Sequence, residues 1–194
     1  QRELMWALSG EDTRAPAAAI TLAGQGVGHW APRARRSLGL HFVPEERLGR
    51  GAVPTLGLAH NLLLTRREAV NPTTGWLNLG LLRQQAQDII SRYKVKASGP
   101  LAAAKSLSGG NLQKFIVGRE IDAKPRLFIV SQPTWGVDAA AAATIRQALL
   151  DLAARGAAVL LISQDLDELF EICDRIAVMS RGRISEPRPT EEWT

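Results

Sequence analysis

Residues 107–113 read LSGGNLQ: Ser108, Gly109 and Gly110 stand directly before a segment, 111–122, whose apolar residues Leu112, Phe115, Ile116 and Ile121 recur at helical spacing. A serine hydroxyl, two glycines that permit close backbone approach and the free N–H groups of a helix start together make an anion site. Phosphate is its natural ligand. An ordinary capped helix after a turn accounts for the same residues equally well, because serine and glycine are routine at helix starts.

Outward from this stretch the chain alternates strands and helices. Residues 126–130 (RLFIV) and 157–163 (AAVLLIS) are short continuous apolar runs, the pattern of strands buried on both faces, with a helical stretch of about 140–155 between them. An acidic helical stretch at 165–174 precedes the apolar run 175–179 (RIAVM), and the turn pair Arg181-Gly182 leads to a last short strand. Earlier, 38–43 (LGLHFV) predicts a strand ended by Pro44, and 58–70 and 80–95 predict helices. The expected fold class is α/β, with a mostly parallel, doubly covered sheet interrupted by a helical insert. There is no internal repeat or low-complexity segment.

At 194 residues and 45% hydrophobic, the chain can bury one sizeable core. Its longest apolar runs fall well short of the roughly 20 residues that span a bilayer, so a soluble chain is expected. A single cysteine, Cys173, rules out an internal disulfide and reads as a small core residue. Nothing at the N-terminus has the basic-then-apolar pattern of a secretion signal, and the start at Gln1 sets the expectation that the natural beginning lies upstream. The net charge of +5 comes from scattered arginines with small clusters at Arg33, Arg35, Arg36 and at Arg66, Arg67. These are expected on a solvated surface, and with few aromatic neighbours no nucleic-acid partner is expected. His29, His41 and His60 form no metal-binding spacing and are expected at surface or half-buried positions.

LSGGNLQ, a helix, Lys124-Pro125, a buried strand and then Gln132-Pro133-Thr134-Trp135-Gly136-Val137-Asp138 together resemble the run of signature motif, second nucleotide motif and D-loop in ATP-binding cassette (ABC) ATPases. The resemblance is closest to the second half of the two-halved ATPase subunits of sugar and nucleoside importers, where LSGGN and QPTxGxD occur together. QRELMWALSG looks like the first helix after a P-loop, VPEERLGRG like the loop between core and helical insert, and LISQDLDELFEICDRIAVMSRGRI like the closing segment. The resemblance implies a P-loop NTPase core lacking its first strand and P-loop, a single partial domain over 1–194. The core would be 1–56 and 115–194, and the helical insert about 57–114. It also implies that the LSGGN turn meets the γ-phosphate held by a partner domain's P-loop, in a head-to-tail dimer with ATP and Mg²⁺ at the interface. The implied nucleotide-binding residues are Ser108, Gly109, Gly110, Asn111, Gln113 and the D-loop Asp138. Asp138 also suits a helix N-cap before the alanine-rich segment that follows it.

Against the family pattern, the end of the P-loop falls on Gln1, Arg2 and Glu3. Gln1 is neutral where an ammonium meets the β and γ phosphates, and Arg2 has no oxygen to offer Mg²⁺. Ser131 and Gln132 occupy the places of the aspartate that holds magnesium's water and the glutamate that polarises the attacking water. Gln164 stands where the family has a switch histidine, and Glu45 where a glutamine watches the γ-phosphate. Loss of a positioned general base costs on the order of a hundred- to ten-thousand-fold in rate, so the chain's own site is expected to be degenerate and the isolated fragment inactive.

The expected partners are a second ABC ATPase domain, transmembrane permease subunits and, indirectly, a solute-binding protein. The implied location is the cytoplasmic face of the cell membrane, held peripherally. A soluble cassette ATPase of DNA repair or translation would share LSGGN without a membrane partner, and a regulatory docking module would never complete a nucleotide site. These are the rival readings.

Overall fold

The computed structural model describes residues 1–66 and 75–193. In chain order it forms helix Arg2–Ser9 (α1), a hairpin of Thr21–Leu22 (β1) and Gln25–Gly26 (β2), helix Pro32–Ser37 (α2), strand Leu40–Val43 (β3) and a short helix Leu58–Asn61 (α3). Helices Leu79–Arg92 (α4) and Gly109–Asp122 (α5) follow, then strand Leu127–Ser131 (β4), helix Ala139–Ala154 (α6), strand Ala158–Ile162 (β5) and helix Leu166–Ile172 (α7). Four two-residue strands follow, Arg175–Ile176 (β6), Met179–Ser180 (β7), Arg183–Ile184 (β8) and Arg188–Pro189 (β9), and then a 3₁₀ turn at Thr190–Trp193.

The sheet is parallel, in the order β3-β4-β5, with Leu40 opposite Leu127 and Leu127 opposite Ala158. Strand β4 lies at its centre and is buried on both faces. Phe128 and Val130 join the main core with Phe115 and Ile116 of α5 and Ile145 and Leu149 of α6, while Ile129 packs on the other face with Met5 of α1 and Leu40. A continuous apolar run is what a strand so enclosed requires. The second run, 157–163, differs from expectation. Among the described residues strand β5 pairs only with β4, and Ala158 and Leu160, which share one face of it, are exposed because no element covers that face there.

The run 175–179 also does not extend the parallel sheet. It breaks into β6, paired antiparallel with β9, and β7, paired antiparallel with β8. The β7–β8 turn is the anticipated Arg181-Gly182 pair, with φ of 49° and 77°. Two successive positive φ values match the twist of a tight hairpin. The predicted helix 58–70 is realised as α3 and a tight turn at Leu62–Leu64. Its residues 67–70, and Arg67 with them, lie outside the described residues.

The arginine clusters are not all solvated. Arg35 is fully buried and donates to the carbonyl oxygens of Ala7, Leu8 (2.8 Å), Gly28 (3.0 Å) and Trp30 (2.9 Å). It thereby satisfies the open C-terminal carbonyls of α1, a position where a cation also complements the helix dipole. Arg66 is buried as well and pairs with Asp122 at 2.9 Å. His41, expected at or near the surface, is buried on β3 with its Nδ1 against the buried Glu120 of α5. In each case a long-range acceptor compensates the polar group for lost water.

Candidate functional site

Helix α5 begins at Gly109, two residues before the apolar periodicity does, because Ser108 caps it. The Ser108 hydroxyl accepts from the Asn111 backbone N–H at 3.4 Å and from Asn111 Nδ2 at 2.9 Å. The Asn111 side chain also accepts from the Lys96 N–H at 2.8 Å, which ties the turn to the loop after α4. Ser108 and Gly109 are exposed at this helix start, while Gly110 is buried and the Asn111 N–H is taken up by the Ser108 cap. That arrangement suits an anion.

Both glycines sit at close approaches, tighter for the packed Gly110 than for Gly109, whose neighbour is the far end of a flexible arginine side chain. A Cβ on Gly110 would lie 3.1 Å from Ala141 Cβ and 3.2 Å from Asp138 Oδ2, and one on Gly109 would lie 2.9 Å from Arg47 Nη1. The loop 133–138 therefore packs directly on the start of α5. Asp138 caps α6 and accepts from Ala141 N at 2.8 Å. That backbone hydrogen bond holds its carboxyl below the ordinary value despite some desolvation, with the Lys114 charge assisting. The structure thus brings Ser108, Gly109, Asn111 and Asp138 together on one surface, with Gly110 buried directly beneath it. Gln113 is not part of that surface. It is fully buried, and its Oε1 accepts from Arg47 Nε at 3.2 Å.

Some of the residues expected at the chain's own nucleotide site also converge, whereas Gln132 and Gln164 are not among the residues lining their cleft. Gln1, Arg2, Glu45 and Ser131 line one cleft with Trp6, Glu46 and Arg50, and Glu3 adjoins its mouth. Arg50 pairs with Glu11 and lies 5.8 Å from the centre of the Trp6 ring. Gln132 is buried with φ 50°, and its Oε1 accepts weakly from the Gln164 backbone N–H at 3.4 Å. None of the residues 108–111 lines this cleft.

This donor set does not fit a magnesium ion. Its two carboxylates, Glu45 and Glu46, share the cleft with the guanidinium groups of Arg2 and Arg50, the latter 4.0 Å from Glu46, and Ser131 adds only a neutral oxygen, surroundings that disfavour a cation. Among the described residues no group of three or more His, Cys, Asp or Glu side chains could hold a metal ion. The Cys173 thiol, half-buried, is pushed up to about 11 by burial and by the charges of Glu168 and Asp174, so it is protonated at neutral pH.

Two residues that hold the loop 133–138 are not evident in the sequence. Arg47 donates to Gln113 Oε1 and to the carbonyl of Trp135. Glu168 of α7, fully buried, accepts from Thr134 Oγ1 at 2.8 Å and ties α7 to the loop 133–138. These contacts join residues 34 to 88 positions apart, and no local pattern announces them.

No protein-family model matches the chain. Among curated proteins it is 37% identical over 187 residues to a glucose import ATP-binding protein, TsgD13, of Haloferax volcanii, which takes in 95% of this chain and 34% of that protein. It is 36% identical over 195 residues to the guanosine import ATP-binding protein NupO of Bacillus subtilis, covering 100% of this chain and 38% of that protein. It is 40% identical over 161 residues to the ribose import ATP-binding protein RbsA of a Chelativorans species, covering 82% and 32%. The chain spans about a third of the length of these relatives. A solved nucleotide-free ATP-binding cassette from an ABC transporter shares the fold, with a TM-score of 0.76 at 22% identity over 98% of this chain and 76% of that one. Among the described residues no helix is long and apolar enough to cross a membrane.

Proposed function

Since the chain belongs to the ATP-binding cassette ATPases, with sugar and nucleoside import ATP-binding proteins as its homologues, we propose that it is a nucleotide-binding domain whose LSGGN turn completes an ATP site held by a second ATPase domain. One observation carries this reading. The Ser108–Gly110 turn is built open and anion-ready beside Asp138, while the cleft at Gln1, Arg2, Glu45 and Ser131 lacks the ligands for a magnesium-bound phosphate.

In that composite site the Ser108 hydroxyl and the first N–H groups of α5 bind the terminal phosphate, and the α5 dipole favours its charge. Gly109, exposed at the helix start, leaves its backbone open to the phosphate, and Gly110 lets Asp138 and Ala141 pack against the turn from within the chain. Asp138, held ionised by its N-cap bonds, orients groups across the domain interface. ATP with Mg²⁺, bound chiefly by the partner domain, supplies the phosphoryl group whose hydrolysis drives the cycle. Ser131, Gln132 and Gln164 provide no general base, so this chain's own cleft does not hydrolyse. The domain boundaries that accompany this reading are a core of 1–56 and 115–194 and a helical insert of about 57–114. The assembly works at the cytoplasmic face of the cell membrane with permease subunits and, through them, a solute-binding protein, in uptake of a sugar or nucleoside.

The test is made on the complete polypeptide assembled with its permease. Ser108→Arg, which puts a bulky cation where the phosphate approaches, abolishes ATP turnover and uptake while assembly persists. Turnover that survives Ser108→Arg would sink the composite-site reading and leave a docking role.

A further inference from the structure

Arg47 lies in the loop after β3, yet its guanidinium works at the start of α5. Nε donates to Gln113 Oε1 at 3.2 Å, Nη2 donates to the carbonyl of Trp135, and Nη1 lies over Gly109, 2.9 Å from where a Cβ would stand. One side chain thus touches the first turn of α5, its buried second turn and the loop 133–138 that carries Asp138. Both acceptors are neutral oxygens, and desolvation lowers the tendency of the guanidinium to hold its charge. A half-buried cation with two neutral acceptors is not there for an ion pair. Its geometry is that of a planar fork spanning two oxygens on different elements.

The same three segments are already in close contact. Gly110 meets Ala141 and Asp138, and Gly109 lies near the Gly136 carbonyl. Asp138 is tied to α6, and the loop's other end is held by Thr134 to Glu168. Between these ties lies Trp135, whose indole is 67% exposed while its carbonyl is held by Arg47. Arg47 thus adds a side-chain hydrogen-bonding link from that middle section to α5, beside the packing of Val137 near Gly110.

We propose that Arg47 is a positioning residue. It holds the LSGGN turn and the loop 133–138 in one register, so that Ser108 and Asp138 present a single preformed surface to the nucleotide of the facing domain. This rests on the composite-site reading above. Preformed geometry is what such a site needs, because a misplacement of about 1 Å can cost on the order of a hundredfold in rate.

The experiment uses the complete polypeptide assembled with its permease and compares Arg47→Lys, Arg47→Ala, Gln113→Ala and the double variant Arg47→Ala/Gln113→Ala, with Ser108→Arg as reference. Arg47→Ala is expected to lower kcat for ATP by about ten- to a hundred-fold, with KM little changed, because the partner domain holds most of the nucleotide. Arg47→Lys is expected to fail to restore kcat, since one ammonium cannot reproduce the fork. The double variant should lose little more than Arg47→Ala alone, as two members of one contact do. Restoration by lysine would overturn the proposal and make Arg47 a charge on the phosphate. Wild-type kcat in Arg47→Ala beside an inactive Ser108→Arg would also overturn it while leaving the composite site standing. An active Ser108→Arg instead removes the composite site itself. Should Arg47→Ala fail to assemble, the lysine variant and the Gln113→Ala variant still decide: wild-type kcat in either overturns the proposal.

Discussion

The Nδ1 of His41 on β3 lies 2.7 Å from Oε2 of Glu120 on α5, with both side chains buried, and this contact fastens the signature helix to the sheet. The other Glu120 oxygen accepts from Arg119 Nε at 2.6 Å. Burial by itself raises the Glu120 carboxyl. The Arg119 charge, the His41 hydrogen bond and charge, and the more distant Arg36 outweigh it and bring the carboxyl down to about 2 from an ordinary 4.5. A carboxylate depressed in the folded state adds stability that is fully present above its unfolded value and is lost as pH falls through its folded one. Glu120→Gln should therefore destabilise the fold by about 3–5 kcal/mol near neutrality, because Arg119 loses its buried partner. The gap to wild type should close between pH 4.5 and about 2. Urea unfolding across that range checks it, and a gap independent of pH would show that Glu120 is not ionised in the fold.

Gly118, midway along α5, faces the Tyr93 ring. An added Cβ would stand 2.5 Å from Tyr93 Cδ2 and 3.0 Å from Ile89 Cγ2. Alanine improves intrinsic helix propensity by about 1 kcal/mol, but overpacking against a buried ring costs about 1–3 kcal/mol. The clash wins. Gly118→Ala should lower stability on balance, and in a Tyr93→Leu background the same change should turn neutral or stabilising. Thermal melts of the four proteins decide it.

Arg35 gathers four carbonyl oxygens from α1 and the segment 28–30. Replacing it with methionine keeps much of the volume but leaves those oxygens buried and unpaired, at a cost on the order of 3 kcal/mol. Arg35→Lys should recover only part of this, since an ammonium cannot span the same fork. Hydrogen exchange should report the damage first at the C-terminal turn of α1. Equal stability of the lysine and wild-type proteins would count against the cage.

Gln132→Glu keeps an acceptor facing the Gln164 N–H but places a carboxyl in a buried position, so it should cost some stability, which a thermal melt reads separately from turnover. On the degenerate-site reading proposed above, it should leave ATP turnover of the complete assembly within about twofold, because one added carboxylate would supply neither a magnesium ligand at Ser131 nor an ammonium at Gln1. A gain of tenfold or more would mean that this cleft stood one acid away from hydrolysis.

LSGGNLQ and the QPTWGVD run were sufficient to name the family, and the apolar runs at 38–43 and 126–130 located β3 and the central strand β4. Ser108 as a helix cap, Asp138 as another and Arg181-Gly182 as a hairpin turn were equally legible. Capping, turn geometry and side-chain periodicity act over about four residues, so their physics is written in consecutive letters. Tertiary structure alone decided that β5 pairs only with β4 among the described residues and that 175–179 divides between two antiparallel pairs, because strand pairing depends on which neighbour is present. It also turned Gln113 inward to Arg47, drew Arg35 into a carbonyl cage and buried His41 against Glu120, 79 residues away in sequence. A long polar side chain reads the same on a surface as in a core. What separates the two is whether a distant chain segment brings an acceptor to replace lost water, and that partner exists only once the chain has folded.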